Sequence, residues 1–254
     1  FSFDDLLQRI HPAASRVSKL AKETPALLIL FDMLADDREI LTAEFLRDRR
    51  KRLEAFAKKF LHRNRSIRLS PATTKLADAN KWLRQVGATL DGIIAKRRGL
   101  PYQSGNRNGM QKIKNFRSAD CVVGGFRYNE GKNTVGSLLL GLYDEQGLLD
   151  HVGFTSSIKA DDKKALTAKL EKLIAPPGFT GDKPGGPSRW STKRSAEWQP
   201  LKPKLVVEVC YDHFSGGRFR HGTRLLRWRP DKSPRQCTMD QLRQKKTDLM
   251  KLLK

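Results

Sequence analysis

Residues 120–154 read DCVVGGFRYNEGKNTVGSLLLGLYDEQGLLDHVGF. Three strand-like runs lie in this stretch, Cys121–Tyr128, Val135–Tyr143 and Leu148–Phe154, separated by glycine-bearing turns. Short runs at this spacing predict antiparallel β-structure. A helix is expected next, near Ala160–Ile174, then a loop rich in Gly, Pro and Ser over Pro176–Pro203. Two more strands, Leu205–Phe214 and Phe219–Arg229, flank the turn Ser215-Gly216-Gly217. Five strands with one helix suit a small Greek-key barrel of the OB type, although periodicity leaves other small barrels open. Thr238 and Gln241 have capping-box spacing and predict a basic helix in the tail.

Upstream of this region the pattern changes to mixed helix and strand. Ser2 caps an expected helix carrying Phe3, Leu6, Leu7 and Ile10, and Ala26–Phe31 reads as a buried strand. Thr42 opens a long helix with Phe45, Leu46, Leu53, Phe56 and Phe60 on its apolar side. Arg49–Arg52 forms a basic block on that helix, a candidate nucleic-acid footprint or a solvated face. Ser70-Pro71 and Gly87 bracket a further helix, and Leu90–Ala95 reads as a strand. The boundary is expected between Lys114 and Asp120, which gives an α+β chain of two domains, residues 1–117 and 118–254.

Fifty Lys and Arg stand against 27 Asp and Glu in 254 residues, a formal net charge of +23. An excess of that size self-repels unless a polyanion is present, so nucleic acid is the expected partner. The hydrophobic fraction of 38%, with 19 glycines, excludes a disordered or collagen-like chain. The longest apolar runs are far below the ~18 residues of a membrane span, so no membrane partner is expected. Three cysteines without a CxxC pair, Cys121, Cys210 and Cys237, suit a reducing, cytoplasmic setting and predict neither disulfides nor structural zinc.

Three segments carry chemistry. In Asp91-Gly92-Ile93-Ile94-Ala95-Lys96, an acid stands at a strand mouth and a lysine at its far end, on opposite faces of a regular strand. Lys112 and Lys114 are two apart, so a strand points both to one face, where a phosphate offsets their repulsion. In Arg227-Trp228-Arg229-Pro230-Asp231-Lys232, an acid lies among cations able to grip a polyphosphate.

In this order, the segments resemble the nucleotide-handling motifs of ATP-dependent DNA ligases, within the covalent nucleotidyltransferases. Phe31-Asp32-Met33-Leu34 is similar to motif IIIa, Asp91–Lys96 to motif IV, Lys112 and Lys114 to motif V, and Arg229–Lys232 to motif VI. The strings DCVVGGFRY, VGSLLLGLYD, GGPSRWST and GGRFRHGTRLLRWRPDK resemble bacterial stand-alone repair ligases.

The resemblance implies the C-terminal portion of an adenylation domain followed by an OB-fold domain. It implies that Phe31 stacks on adenine and that Lys96, Lys112 and Lys114 bind the nucleotide. Lys112 and Lys114 would act on the AMP phosphate during transfer. Asp91 would hold Mg²⁺, and Arg229, Asp231 and Lys232 would orient the leaving pyrophosphate. The chemistry implied is lysyl-AMP formation from ATP, transfer of AMP to the 5′-phosphate of a DNA nick, and closure by the 3′-hydroxyl.

The family's nucleophile lies in a KxDG string, and the residue two before Asp91-Gly92 is Thr89. The acidic motif III is likewise absent from these residues. The chain alone is therefore expected not to adenylylate itself. Its expected partners are nicked duplex DNA, the N-terminal half of the adenylation domain and DNA end-binding repair proteins. The alternative is a non-catalytic DNA-binding module.

Overall fold

The computed structural model describes residues 5–6, 8–10, 13–37, 39–86, 90–185 and 197–243. Ser2, Phe3, Leu7, Gly87 and the expected basic helix beyond Arg243 lie outside the described residues. The chain divides into two compact units between Lys114 and Asn115. Among the described residues, no helix is long and apolar enough to cross a membrane.

The first unit is built from small pieces. Helix α1 spans Ala14–Glu23 and buries Leu20. Strand β1 (Leu28–Leu30) pairs in parallel with β4 (Ile67–Leu69). Strands β2 (Ala35–Asp36) and β3 (Glu39–Ile40) form a short hairpin, followed by helix α2 (Leu46–Phe60). Helix α3 spans Leu76–Val86, and β5 (Gly92–Lys96) pairs antiparallel with β6 (Met110–Lys114).

Several expectations need correction here. The run Ala26–Phe31 is not a buried strand: Leu28, Ile29 and Phe31 are exposed. Among the described residues strand β1 has one hydrogen-bonded neighbour, β4, and so lies at the edge of a two-stranded sheet. The long helix starts at Leu46 rather than Thr42, because the Thr42 carbonyl is already committed to the Tyr102 amide at 2.9 Å. Its buried residues are Arg49, Leu53 and Ala57, spaced by four, whereas Phe45 and Phe60 are exposed. The helix expected from Ser70-Pro71 begins only at Leu76. The Ser70 amide first extends the parallel pair to the Leu30 carbonyl, and Ser70 then accepts Arg50.

The second unit is a barrel. Strands β7 (Arg117–Tyr128), β8 (Val135–Tyr143) and β9 (Leu149–Thr155) form an antiparallel meander. Helix α4 (Lys163–Glu171) follows and ties to β8, its Thr167 hydroxyl accepting the Val135 amide. Strand β10 (Gln199–Pro200) pairs with β7. Strand β11 (Val206–Tyr211) lies between β7 and β14 (Arg224–Trp228), giving the order β14-β11-β7-β8-β9. A bridge from Thr155 to Thr223 joins the two ends of that order. Numbering the five long strands in sequence, the closed order is 1-2-3-5-4-1 with the helix between strands three and four, which is an OB-fold barrel.

Apolar residues at consecutive positions of β8, Leu138, Leu139 and Leu140, are all fully buried, so both faces of this strand are covered. Phe126, Val122, Val152, Phe179 and Leu201 belong to the same core. Each such side chain contributes about 1.5–3 kcal/mol through burial.

Three expectations in this unit are also revised. The last two strands are shorter than expected, because a small hairpin, β12 (Phe214–Ser215) with β13 (Arg218–Phe219), stands between them. Gly216 and Gly217, at φ +57° and +76°, turn it. Its base is drawn together by His221 on the Asp212 carboxylate at 3.1 Å. The stretch Pro176–Pro203 is not only surface loop, since Phe179 and Leu201 are fully buried in the core. Thr238 forms no side-chain cap; a short 3₁₀ turn, Met239–Leu242, follows it. The reciprocal cap lies between Ser233 and Gln236 instead.

Candidate active site

The first unit presents its candidate residues on the β5–β6 hairpin. The register pairs Lys96 with Met110, Ile94 with Lys112 and Gly92 with Lys114, so Lys96, Lys112 and Lys114 share one face. Gly92 has φ +151°, and a Cβ on it would collide with the Ile113 carbonyl. The close crossing therefore requires glycine. Asp91, expected opposite Lys96, instead accepts a hydrogen bond from Lys112 Nζ, which lies on the Lys96 face, at 2.7 Å. The two residues assigned separately to metal and phosphate thus hold each other.

Lys96 Nζ lies 4.7 Å from the centroid of the exposed Phe31 ring. Such a cation–π contact is worth about 0.5–1 kcal/mol at an exposed site. Burial lowers the pKa of Lys96; Asp32 opposes the shift, while Arg49 and Arg50 add to it.

Phe31 is anchored through its neighbour. Asp32 takes Arg49 in a two-pronged contact, Nε to Oδ1 and Nη2 to Oδ2, both at 2.9 Å. Both side chains are buried, and Arg49 Nη1 also donates to the Glu44 carbonyl. Of the basic block Arg49–Arg52, expected as a nucleic-acid footprint or a solvated face, Arg49 is instead buried. Arg50 pairs with Glu54 and Ser70, and Arg52 with Glu39 and Glu44, so the block is largely neutralised within the unit. Sequence reasoning missed Arg49 as a buried anchor, because adjacent arginines hid it in what looked like a solvated run.

The second unit assembles Arg229, Asp231 and Lys232 around a residue not singled out from the sequence. Asp120, near the start of β7, accepts Arg229 Nη1 at 2.9 and 3.1 Å and Lys232 Nζ at 2.7 Å. Arg229 turns its other edge to Asp231, Nε to Oδ1 at 3.0 Å and Nη2 to Oδ2 at 2.9 Å. That contact holds the Asp231 carboxyl down at about 2 and pushes the guanidinium above its usual range. The Gln241 side-chain amide binds the Asp120 backbone on both sides, accepting its N–H at 2.8 Å and donating to its carbonyl at 2.9 Å. Across the sheet Glu208 faces Asp120, and Arg227 faces Glu208 and bonds it at 2.6 Å. The signal for Asp120 was a carboxylate heading an otherwise apolar strand, a place that demands a cation.

Comparison with known proteins gives a consistent result. Residues 1–114 match the family model described as ATP dependent DNA ligase domain, and residues 131–232 that described as ATP dependent DNA ligase C terminal region. DNA ligase C1 of Mycolicibacterium smegmatis is 43% identical over 249 residues, which cover 94% of this chain and 68% of that protein. The multifunctional non-homologous end joining DNA repair protein LigD of Mycobacterium tuberculosis is 29% identical over 235 residues, covering 88% of this chain and 28% of LigD. The solved structure Pmar-Lig_PreS3, at 15% identity and a TM-score of 0.58, covers 90% of this chain and 49% of that one, a likeness of fold.

Proposed function

The chain belongs to the ATP-dependent DNA ligases, and we propose that the β5–β6 face with Phe31 is where it holds the adenylate. The observation that carries this reading is the exposed Phe31 ring beside Lys96, on a face shared with Lys112 and Lys114. Phe31 offers a flat apolar surface for adenine, and stacking adds about 0.5–1.5 kcal/mol beyond burial. Lys96, Lys112 and Lys114 supply cations for the α-phosphate, where negative charge is redistributed during transfer. Arg229, Asp231 and Lys232 orient the departing pyrophosphate. Nicked duplex DNA receives the AMP.

Mg²⁺ is the metal the family implies. This ion is commonly held by one or two carboxylates together with substrate phosphates and water. Asp91, partly exposed at the strand mouth, suits that ligation, and the Lys112 ammonium on its Oδ2 marks where a cation is welcome. Once bound, the metal neutralises phosphate oxygens.

The nucleophile comes from a separate KxDG-bearing segment of the adenylation domain. The exposed Leu28, Ile29 and Ile94 on the small sheets give such a segment apolar surface to cover. DNA end-binding repair proteins are further partners, in keeping with the end-joining relative. The working compartment is the cytoplasm, in keeping with three unpaired cysteines.

Incubation with α-phosphate-labelled ATP and Mg²⁺, followed by a denaturing gel, tests this function. The chain alone should stay unlabelled, and adding a KxDG-bearing segment should produce a labelled adenylate and sealing of nicked DNA. Label on this chain alone would overturn the assignment of the nucleophile. Failure to label with the segment, alongside salt-dependent DNA binding, would favour a non-catalytic DNA-binding module. Nicked RNA as substrate separates RNA ligation from DNA ligation.

A further inference from the structure

We infer that Asp120 is a positioning residue that stands in for phosphate: Arg229 stays fixed on it, while Lys232 leaves it for an incoming polyphosphate. The inference rests on the reading of Arg229, Asp231 and Lys232 as the group that orients pyrophosphate, and adds how the two cations are held and which one moves.

The two cations are bound unequally. Arg229 makes contacts on both edges of its guanidinium, to both oxygens of Asp120 and to both of Asp231. Removing it would break the planar two-pronged geometry that arginine favours and leave Asp120 with Lys232 alone. The Lys232 ammonium is held by Asp120 Oδ2 at 2.7 Å. A lysine ammonium is a point charge on a flexible stem, able to exchange one oxygen for another. When Lys232 leaves, Asp120 remains paired with Arg229.

Asp120 cannot follow the departing cation. Its strand pairs with β11, and Gln241 bonds its backbone on both sides. Glu208, the nearest carboxylate across the sheet, is taken by Arg227. The six side chains Asp120, Glu208, Asp231, Arg227, Arg229 and Lys232 carry three charges of each sign. A linear polyphosphate therefore meets a neutral cluster in which one cation is exchangeable and one is an anchor.

Titration of the chain with inorganic tripolyphosphate by calorimetry is the test. Asp120→Asn should bind at least about fivefold more tightly than the parent, because removing one nearby charge frees Lys232. Lys232→Ala should lose most of the binding, and Asp120→Asn with Lys232→Ala should lose the gain. Equal or weaker binding by Asp120→Asn, with binding still dependent on Lys232, overturns the exchange and leaves the polyphosphate reading standing. Binding that is absent, or indifferent to Lys232, overturns both. Should Asp120→Asn fail to fold, nitrogen-detected NMR of the parent decides. On adding tripolyphosphate the Lys232 Nζ signal should shift and Arg229 Nη1, the nitrogen on Asp120, should hold, whereas both moving or neither moving overturns the proposal.

Discussion

In the barrel unit, Phe126, Leu138, Leu139, Leu140 and Val152 are fully buried in one core. In the unit before it, Leu28, Ile29, Phe31, Ile40, Leu76 and Ile94 are exposed, and among the described residues the buried apolar ones are Leu20, Leu41, Leu53 and Ala57. Charge is distributed in the reverse sense. The first unit places the Arg49–Asp32 pair in its interior, whereas the barrel keeps Arg229 and Lys232 toward its surface, both on Asp120, with Asp231 on the outer edge of Arg229. A closed core lets charges be arranged on top of it. An open sheet must use them to hold its own loops, and the candidate nucleotide face is built on the open one.

The largest effect should come from the barrel core. Phe126→Ala removes a fully buried ring and should cost about 3–5 kcal/mol, read as a shift of the barrel's denaturant transition. An equal effect on the first unit's transition would erase the contrast between the units. Arg49→Met should cost the first unit a comparable amount, about 3–5 kcal/mol, because Asp32 is left buried without its cation. Adding Asp32→Leu should restore much of that loss; no recovery would mean the pair does more than balance charge.

A third difference concerns pH. Burial, with Arg218 and Arg127 nearby, pushes His151 down to about 3. The folded barrel therefore refuses a proton that the unfolded chain accepts. Stability is complete above the ordinary histidine pKa of about 6.5 and declines as pH falls toward 3, by about 2 kcal/mol at pH 5. Chemical denaturation of the parent and His151→Phe across that range checks it, and the variant should lack this slope. The smallest effect is expected at Ile94→Ser on the exposed β5 face, within about 0.5 kcal/mol. A loss of several kcal/mol there would show that the first unit hides more core than its exposures indicate.

The barrel was more legible than the unit before it, and for a physical reason. Cys121–Tyr128 and Val135–Tyr143 alternate or run apolar between glycine turns, and the strands form close to those limits. The hairpin at Phe214–Phe219 was not legible, since its four strand residues have no period to read. The run Ala26–Phe31 misled because apolar composition predicts burial only when another layer arrives to cover it. Phe31, Asp91, Lys96, Lys112, Arg229 and Lys232 could be named from local strings. Asp120 could not be linked to Arg229, because their contact spans 109 positions of sequence. Arg49 was obscured by the three basic residues that follow it, which share its charge but not its burial.

Gly92 has a consequence beyond allowing two strands to approach. Sliding β5 by one residue along β6 would bring a residue with a Cβ against the Ile113 carbonyl, where glycine alone fits. The hairpin therefore has a steric index mark that rejects neighbouring alignments. Asp91 precedes that mark and Lys112 is counted from it, so the spacing between carboxylate and ammonium is set by the backbone before either side chain chooses a rotamer. An alanine at position 92 would remove the reference point from which both are measured.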